Sequence, residues 1–191
     1  MMYKLHINLV ALFTVCVLIL NSCALYQTKT LKGSSGDIDY ENIYIRTSAY
    51  EGVIFSEHYL HMKNGLKEKF TPTLSDIELT EALLRNQLKG INIKKINQGG
   101  SCPVIDKKLN KYKRQYFGYI DANGDKIISI NCLWEKKGFH DFTDKIFHKA
   151  PDDTTWKTDE KNVLDGCSYY WTIKVNLTSK ALFDLYVNGL G

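Results

Sequence analysis

The sequence predicts an α+β domain, an antiparallel β-sheet of about five or six strands with one main helix packed on a face. Three observations predict it. Runs of branched and aromatic residues recur along the chain, one segment alone has a helical period with capping signals, and Asp-Ala-Asn-Gly-Asp at 121–125 joins two β-prone runs as a hairpin turn. With 12% aromatic residues, 12 of them Tyr, and three prolines, the chain has the composition of a folded β-rich domain.

The first β-prone runs are Asn42-Ile-Tyr-Ile-Arg-Thr-Ser-Ala-Tyr50 and Gly52-Val-Ile-Phe-Ser-Glu-His-Tyr-Leu-His61. The helix follows. Ser75 with Glu78 three residues on has the form of a capping box, Ile77, Leu84 and Leu88 share one side with Leu83 beside them, and Gly90 supplies a stop. Residues 114–120 and 126–134 form the hairpin, because Asn123-Gly124 tolerates the positive φ angles of a tight turn. Phe139, Phe142 and Ile146 have the spacing of a short amphipathic helix, and 152–162 reads as an exposed polar loop. From Tyr169 to Leu177 apolar and polar residues alternate, which predicts a strand with Tyr169, Trp171, Ile173, Val175 and Leu177 on its buried face. A turn at 178–180 leads to a closing strand over 182–188.

Ahead of this domain the chain has the layout of an export signal. Lys4 precedes an apolar run at 9–20, shorter than the roughly 20 residues that span a bilayer and suited to a signal-peptide core of about 7–15. Leu20-Asn-Ser-Cys23 then resembles the lipobox of bacterial lipoproteins, which implies cleavage before Cys23 and acylation of its thiol. Residues 1–22 are thus expected to be removed. Residues 23–39, polar and including Lys32-Gly-Ser-Ser-Gly36, read as the lipidated cysteine and a flexible tether, and 40–191 as a single domain.

A broader resemblance rests on Thr71-Pro-Thr-Leu-Ser-Asp-Ile77, on the run from Tyr112 to Lys126, on Ile130-Asn-Cys132, and on Leu164-Asp-Gly-Cys-Ser-Tyr-Tyr-Trp171 with Val187-Asn-Gly189. These resemble a domain of uncharacterised Bacteroidetes lipoproteins over about residues 70–190. The resemblance implies export and lipidation and carries over no functional residue. Many members have Gly-Gly where this chain has Gly166-Cys167.

Composition excludes some partners. The formal net charge of +4 is spread along the chain with no arginine- or lysine-rich block, which argues against nucleic acid. Beyond Cys23 the exported part has Cys102, Cys132 and Cys167, an odd count that permits at most one internal disulfide, and Cys132 and Cys167 read as small buried residues.

Several constellations invite a catalytic or ligand reading. Asp165-Gly-Cys-Ser168 is similar to the Asp-Cys-Ser motif of exported cell-wall cysteine peptidases. Gly166 interrupts the motif, however, and a strand follows where that chemistry needs a helix to lower the thiol pKa. Asp121, Asn123 and Asp125 suggest a calcium loop, but the glycine and the final glutamate that such a loop needs are misplaced, so a hairpin turn is preferred. His58 and His61 share a face only on a helix, and their surroundings read as strand. Asp141 and Asp144 are the remaining candidate acid/base pair, and Tyr112–Tyr119 and Tyr169–Trp171 offer aromatics for a glycan platform. Asn176-Leu-Thr178 and Asp153-Thr-Thr155 match short glycosylation motifs.

With no complete catalytic set, the sequence predicts a non-enzymatic binding or accessory domain without cofactor or metal. It is expected to be anchored to membrane lipid through Cys23, on the outer membrane facing the periplasm, with a protein or glycan partner. A cell-envelope hydrolase is the alternative.

Overall fold

The computed structural model describes residues 26–35, 38–59, 68–134 and 154–190. Cys23, His61, Asp141, Asp144 and the helix expected over Phe139, Phe142 and Ile146 lie outside these residues. The strands are β1 (Gln27–Ser35), β2 (Ile38–Arg46), β3 (Glu51–Ile54), β4 (Lys69–Phe70), β5 (Lys113–Ile120), β6 (Lys126–Leu133), β7 (Tyr170–Asn176) and β8 (Ala181–Val187). The helix α1 (Leu74–Ile91) falls between β4 and β5.

The α+β class holds, with a larger sheet than the five or six strands expected. Eight strands run in the order β1-β2-β3-β5-β6-β7-β8, with β4 also on β5. Every pairing is antiparallel except β3 with β5, which is parallel. The exception follows from connectivity: between these strands the chain passes through β4 and α1, a crossover that returns it in the same direction. β3 covers the first half of one edge of β5, from Glu51↔Lys113 to Ile54↔Tyr116, and β4 continues that edge at Phe70↔Gly118. Gly118 permits this approach, since a Cβ there would lie 2.4 Å from the Phe70 carbonyl oxygen.

The stretch read as a flexible tether is largely β1. It pairs with β2 residue for residue, from Gln27↔Arg46 to Ser35↔Ile38. Its polar composition misled because β1 is an edge strand with little of its surface buried, so no apolar alternation is required. Gly33, which suggested a linker, lies beneath the ring of its cross-strand partner Tyr40. The folded domain therefore includes residues ahead of 40, with β1 from Gln27 part of its sheet.

The capping box also sits elsewhere. Thr73 is the N-cap: its side chain accepts from the Asp76 amide at 3.2 Å, and the Asp76 carboxylate accepts from the Thr73 amide at 2.9 Å. Pro72 and extended backbone at Thr73 start the helix two residues earlier, and Glu78 is released to accept from Tyr26 Oη at 2.5 Å. The predicted apolar side does face the sheet: Ile77, Leu83, Leu84 and Leu88 are buried against Ile45, Ile54, Tyr116, Ile128, Ile130, Trp171, Ile173 and Val175.

The opposite face of the sheet has a smaller core of Val53, Phe55, Phe117, Leu133 and Trp156. Its cover comes from the segment expected to be an exposed loop, where Trp156 in the short 3₁₀ turn Thr155–Lys157 is only 1% exposed. Burying an indole of this size outweighs the polar residues around it in deciding where the segment packs.

Candidate functional site

The most strongly charged feature of the interior joins α1 to β5. Arg114 Nε lies 2.8 Å from Glu81 Oε1, and Tyr116 Oη donates to the same oxygen at 2.8 Å. Arg114 Nη1 and Nη2 each donate to backbone, at Tyr112 O (2.8 Å) and Leu109 O (3.0 Å). Burial opposes the charge on Arg114, yet Glu81 and its neighbours more than offset this and raise its pKa. Both residues are enclosed, so the pair couples helix to sheet and offers no reacting group to solvent.

Cys167 is not available as a nucleophile, because it is bonded to Cys102, 65 positions away in sequence. Gly166 (φ 91°) and Cys167 (φ 47°) both have left-handed backbone, which turns the chain into β7. Hydrogen bonds reinforce the junction: Tyr112 Oη donates to Ser168 O at 2.7 Å, Ser168 Oγ to Pro103 O at 2.5 Å and Tyr169 Oη to Ser101 O at 3.0 Å. The reading of Cys167 as a free buried thiol is corrected accordingly. Cys132 is such a thiol, fully enclosed on the helix face of β6, and burial pushes its pKa up, away from a reactive thiolate.

Asp121 is occupied as a turn residue. Its Oδ1 accepts from the amides of Asn123 and Asp125, both at 2.9 Å, while Asp125 Oδ2 accepts from Asn176 Nδ2 at 2.8 Å. His58 is largely exposed, with Glu57 3.8 Å away. The proposed glycan platform is mostly interior, since Tyr112, Tyr116, Phe117, Tyr119 and Trp171 are all buried.

A polar clamp holds the cover of the second face. Gln115 and Asn131 are opposite each other on β5 and β6. Gln115 Nε2 donates to the carbonyls of Trp156 and Asp159, each at 2.7 Å, and its Oε1 accepts from Asn131 Nδ2 and from the Lys161 amide at 3.0 Å. Asn131 Nδ2 also donates to Lys161 O at 2.6 Å. Nothing in the sequence singles out these two amides; only register makes them neighbours.

Among the described residues, two of the larger surface grooves offer places for a ligand. One, of about 770 Å³, is polar and lined by Ser34, Asp39, Tyr40, Glu41, Ser56, His58 and Thr71 among others. The other, of about 690 Å³, lies between the end of α1 and β8 and is mainly apolar, with Ile91, Ile93, Ile96, Leu185, Tyr186 and Val187 beside Lys94 and Lys95. Ile93 is 77% exposed, Ile96 59%, Tyr186 60% and the nearby Leu190 71%. The signal was present in the sequence as Gly90-Ile-Asn-Ile-Lys-Lys-Ile96, apolar residues in a segment with no element to bury them. Comparison with family models, with curated proteins and with solved structures gives no match.

Proposed function

We propose that this protein is a lipid-anchored envelope protein whose domain is a non-enzymatic binding or accessory module, held on the outer membrane and facing the periplasm. The observation that carries the reading is the N-terminal sequence, Lys4, the apolar run at 9–20 and Leu20-Asn-Ser-Cys23, placed just ahead of a domain whose β1 begins at Gln27. The resemblance to Bacteroidetes lipoproteins supports the same route. The two or three acyl chains such a pathway attaches bury enough methylenes, at about 0.8 kcal/mol each, for stable anchoring.

With Cys23 acylated, the anchor is short. Only Ala24 and Leu25 separate Cys23 from Tyr26, and three residue steps span at most about 11 Å. The domain would then rest close to the headgroups. Binding is favoured over cysteine-dependent hydrolysis because Cys167 is tied in a disulfide. An exposed apolar groove is a feature of recognition surfaces.

Intact-mass spectrometry of the native protein tests the anchor: a mature chain beginning with diacyl- or triacyl-modified Cys23 is expected, and any other N-terminus refutes the reading. Cys23→Ser should release the domain from the membrane fraction or stall it as a precursor. Digestion of the domain by protease on intact cells would overturn the periplasmic assignment. A glycan-binding reading is favoured by the polar groove, whose lining includes Tyr40 with Ser34, Ser56, Thr71, Asp39 and Glu41. Calorimetric titration with peptidoglycan fragments against Glu41→Ala tests it.

A further inference from the structure

Resting on the lipid-anchor reading, we propose that the apolar ledge after α1, Ile93 and Ile96 with Tyr186, together with Lys94 and Lys95, is a second membrane contact that docks on an anionic bilayer surface.

The chemistry is that of an interfacial segment: branched and aromatic side chains that can enter the headgroup boundary, with adjacent ammonium groups that match lipid phosphates. The ledge is built, not incidental. Asn92 ends the helix with its amide on Leu88 O, and its side chain bonds Gln98 and Asp106. Asn97 Nδ2 donates to Asn188 O at 2.8 Å. Lys95 (φ 45°) and Asn97 (φ 53°) hold left-handed backbone, which a lysine adopts only when its surroundings require it. Ordering a loop this firmly to display two isoleucines makes sense where they meet something other than water.

Position supports the bilayer as the occupant. Tyr26, three residues from Cys23, packs on α1 at Glu78 and lines a small cleft with Tyr50, Glu81 and Arg85. From Glu78, where Tyr26 bonds, to Ile91 is thirteen residues, roughly 20 Å along the axis at 1.5 Å per residue, within the footprint of one small domain. Tyr26 thus sits near the start of α1 and the ledge at its other end, both on the helix side of the sheet.

The chief rival, a partner strand added to β8, is disfavoured by the state of that edge. Gln87 Nε2 donates to Lys180 O at 2.9 Å and Gln87 Oε1 accepts from the Leu182 amide at 3.2 Å. At the other end Asn97 covers Asn188 O, and between them a register shift with Asp184 at φ 54° bends the strand.

The test uses the mature protein reconstituted in vesicles with an environment-sensitive fluorophore on Ile93→Cys, or on Thr154→Cys, an exposed position on the opposite face; the buried Cys132 should not label. In phosphatidylglycerol–phosphatidylcholine vesicles the label at 93 is expected to shift to the blue and be quenched by lipid-borne spin labels, and the label at 154 to do neither. Lys94→Glu with Lys95→Glu should lower the docked signal several-fold. A water-like spectrum at 93 on a protein whose mass shows an acylated Cys23 overturns the ledge and leaves the anchor standing. If the mass shows no lipid, the anchor reading fails, and the same labelled protein added to anionic vesicles decides the ledge by whether position 93 responds. A shift at 93 that depends on protein concentration in detergent without vesicles identifies a second copy as the occupant and overturns the proposal.

Discussion

Glu81 of α1 and Arg114 of β5 meet 2.8 Å apart with each side chain about 1% exposed, so one buried ion pair fixes where the helix sits on the sheet. Removing one partner leaves the other charged and buried. Glu81→Ala should therefore lower unfolding stability by about 3–5 kcal/mol, while Glu81→Leu combined with Arg114→Met should recover most of the loss. Urea denaturation reads both. A single-mutant loss below about 1 kcal/mol would mean that α1 does not dock through this pair.

The Cys102–Cys167 disulfide closes a long loop and ties the segment after α1 to the start of β7. Cys102→Ala with Cys167→Ala should cost about 2–4 kcal/mol, with the loss acting mainly through the freed unfolded chain. Thiol counting in denaturant offers an independent check. Among the three cysteines after Cys23, only Cys132 should label before reduction, and labelling of all three would refute the bond.

The Gln115–Asn131 clamp predicts a local effect on the second face. Gln115→Leu strands the Lys161 amide and the carbonyls of Trp156 and Asp159, at about 1–3 kcal/mol for each buried group left unpaired. Residues 154–163 should loosen first, seen as a red shift of Trp156 fluorescence and earlier proteolytic nicking there, ahead of global unfolding. Unchanged fluorescence would show that the indole holds the segment without the amides.

Alkaline pH should destabilise the fold through its tyrosines. Burial, then the hydrogen bond to Glu51, raises Tyr44 to about 12, and burial raises Tyr112 and Tyr116 as well. A phenol with a raised folded pKa releases its proton more readily when unfolded. Its contribution is complete below about pH 10 and is lost as pH climbs through the folded value. Thermal unfolding midpoints should be level up to about pH 10 and fall above it, with tyrosinate absorbance appearing together with unfolding. Full tyrosine ionisation in the folded protein would contradict these environments.

Segments whose own pattern forces one answer were legible in advance. The alternation of Trp171, Ile173 and Val175 demanded a half-buried strand, and Asn123-Gly124 marked the β5–β6 turn. Ile77, Leu84 and Leu88 defined the helix face, although Thr73 and Asp76 took the capping role expected of Ser75 and Glu78. β1 was hidden because an exposed edge strand needs little apolar surface, and Trp156 was hidden because its neighbours are polar.

By itself, then, the sequence determined the α+β class, the central hairpin and the helix, since periodicity and turn chemistry are local properties. Only the tertiary structure decided the eight-stranded order, the parallel β3–β5 pair, the partner of Cys167, the Gln115–Asn131 clamp and the exposure of Ile93 and Ile96. Each of these depends on which residues meet across long separations. Register and burial set those meetings for the chain as a whole, and no local window of sequence contains them.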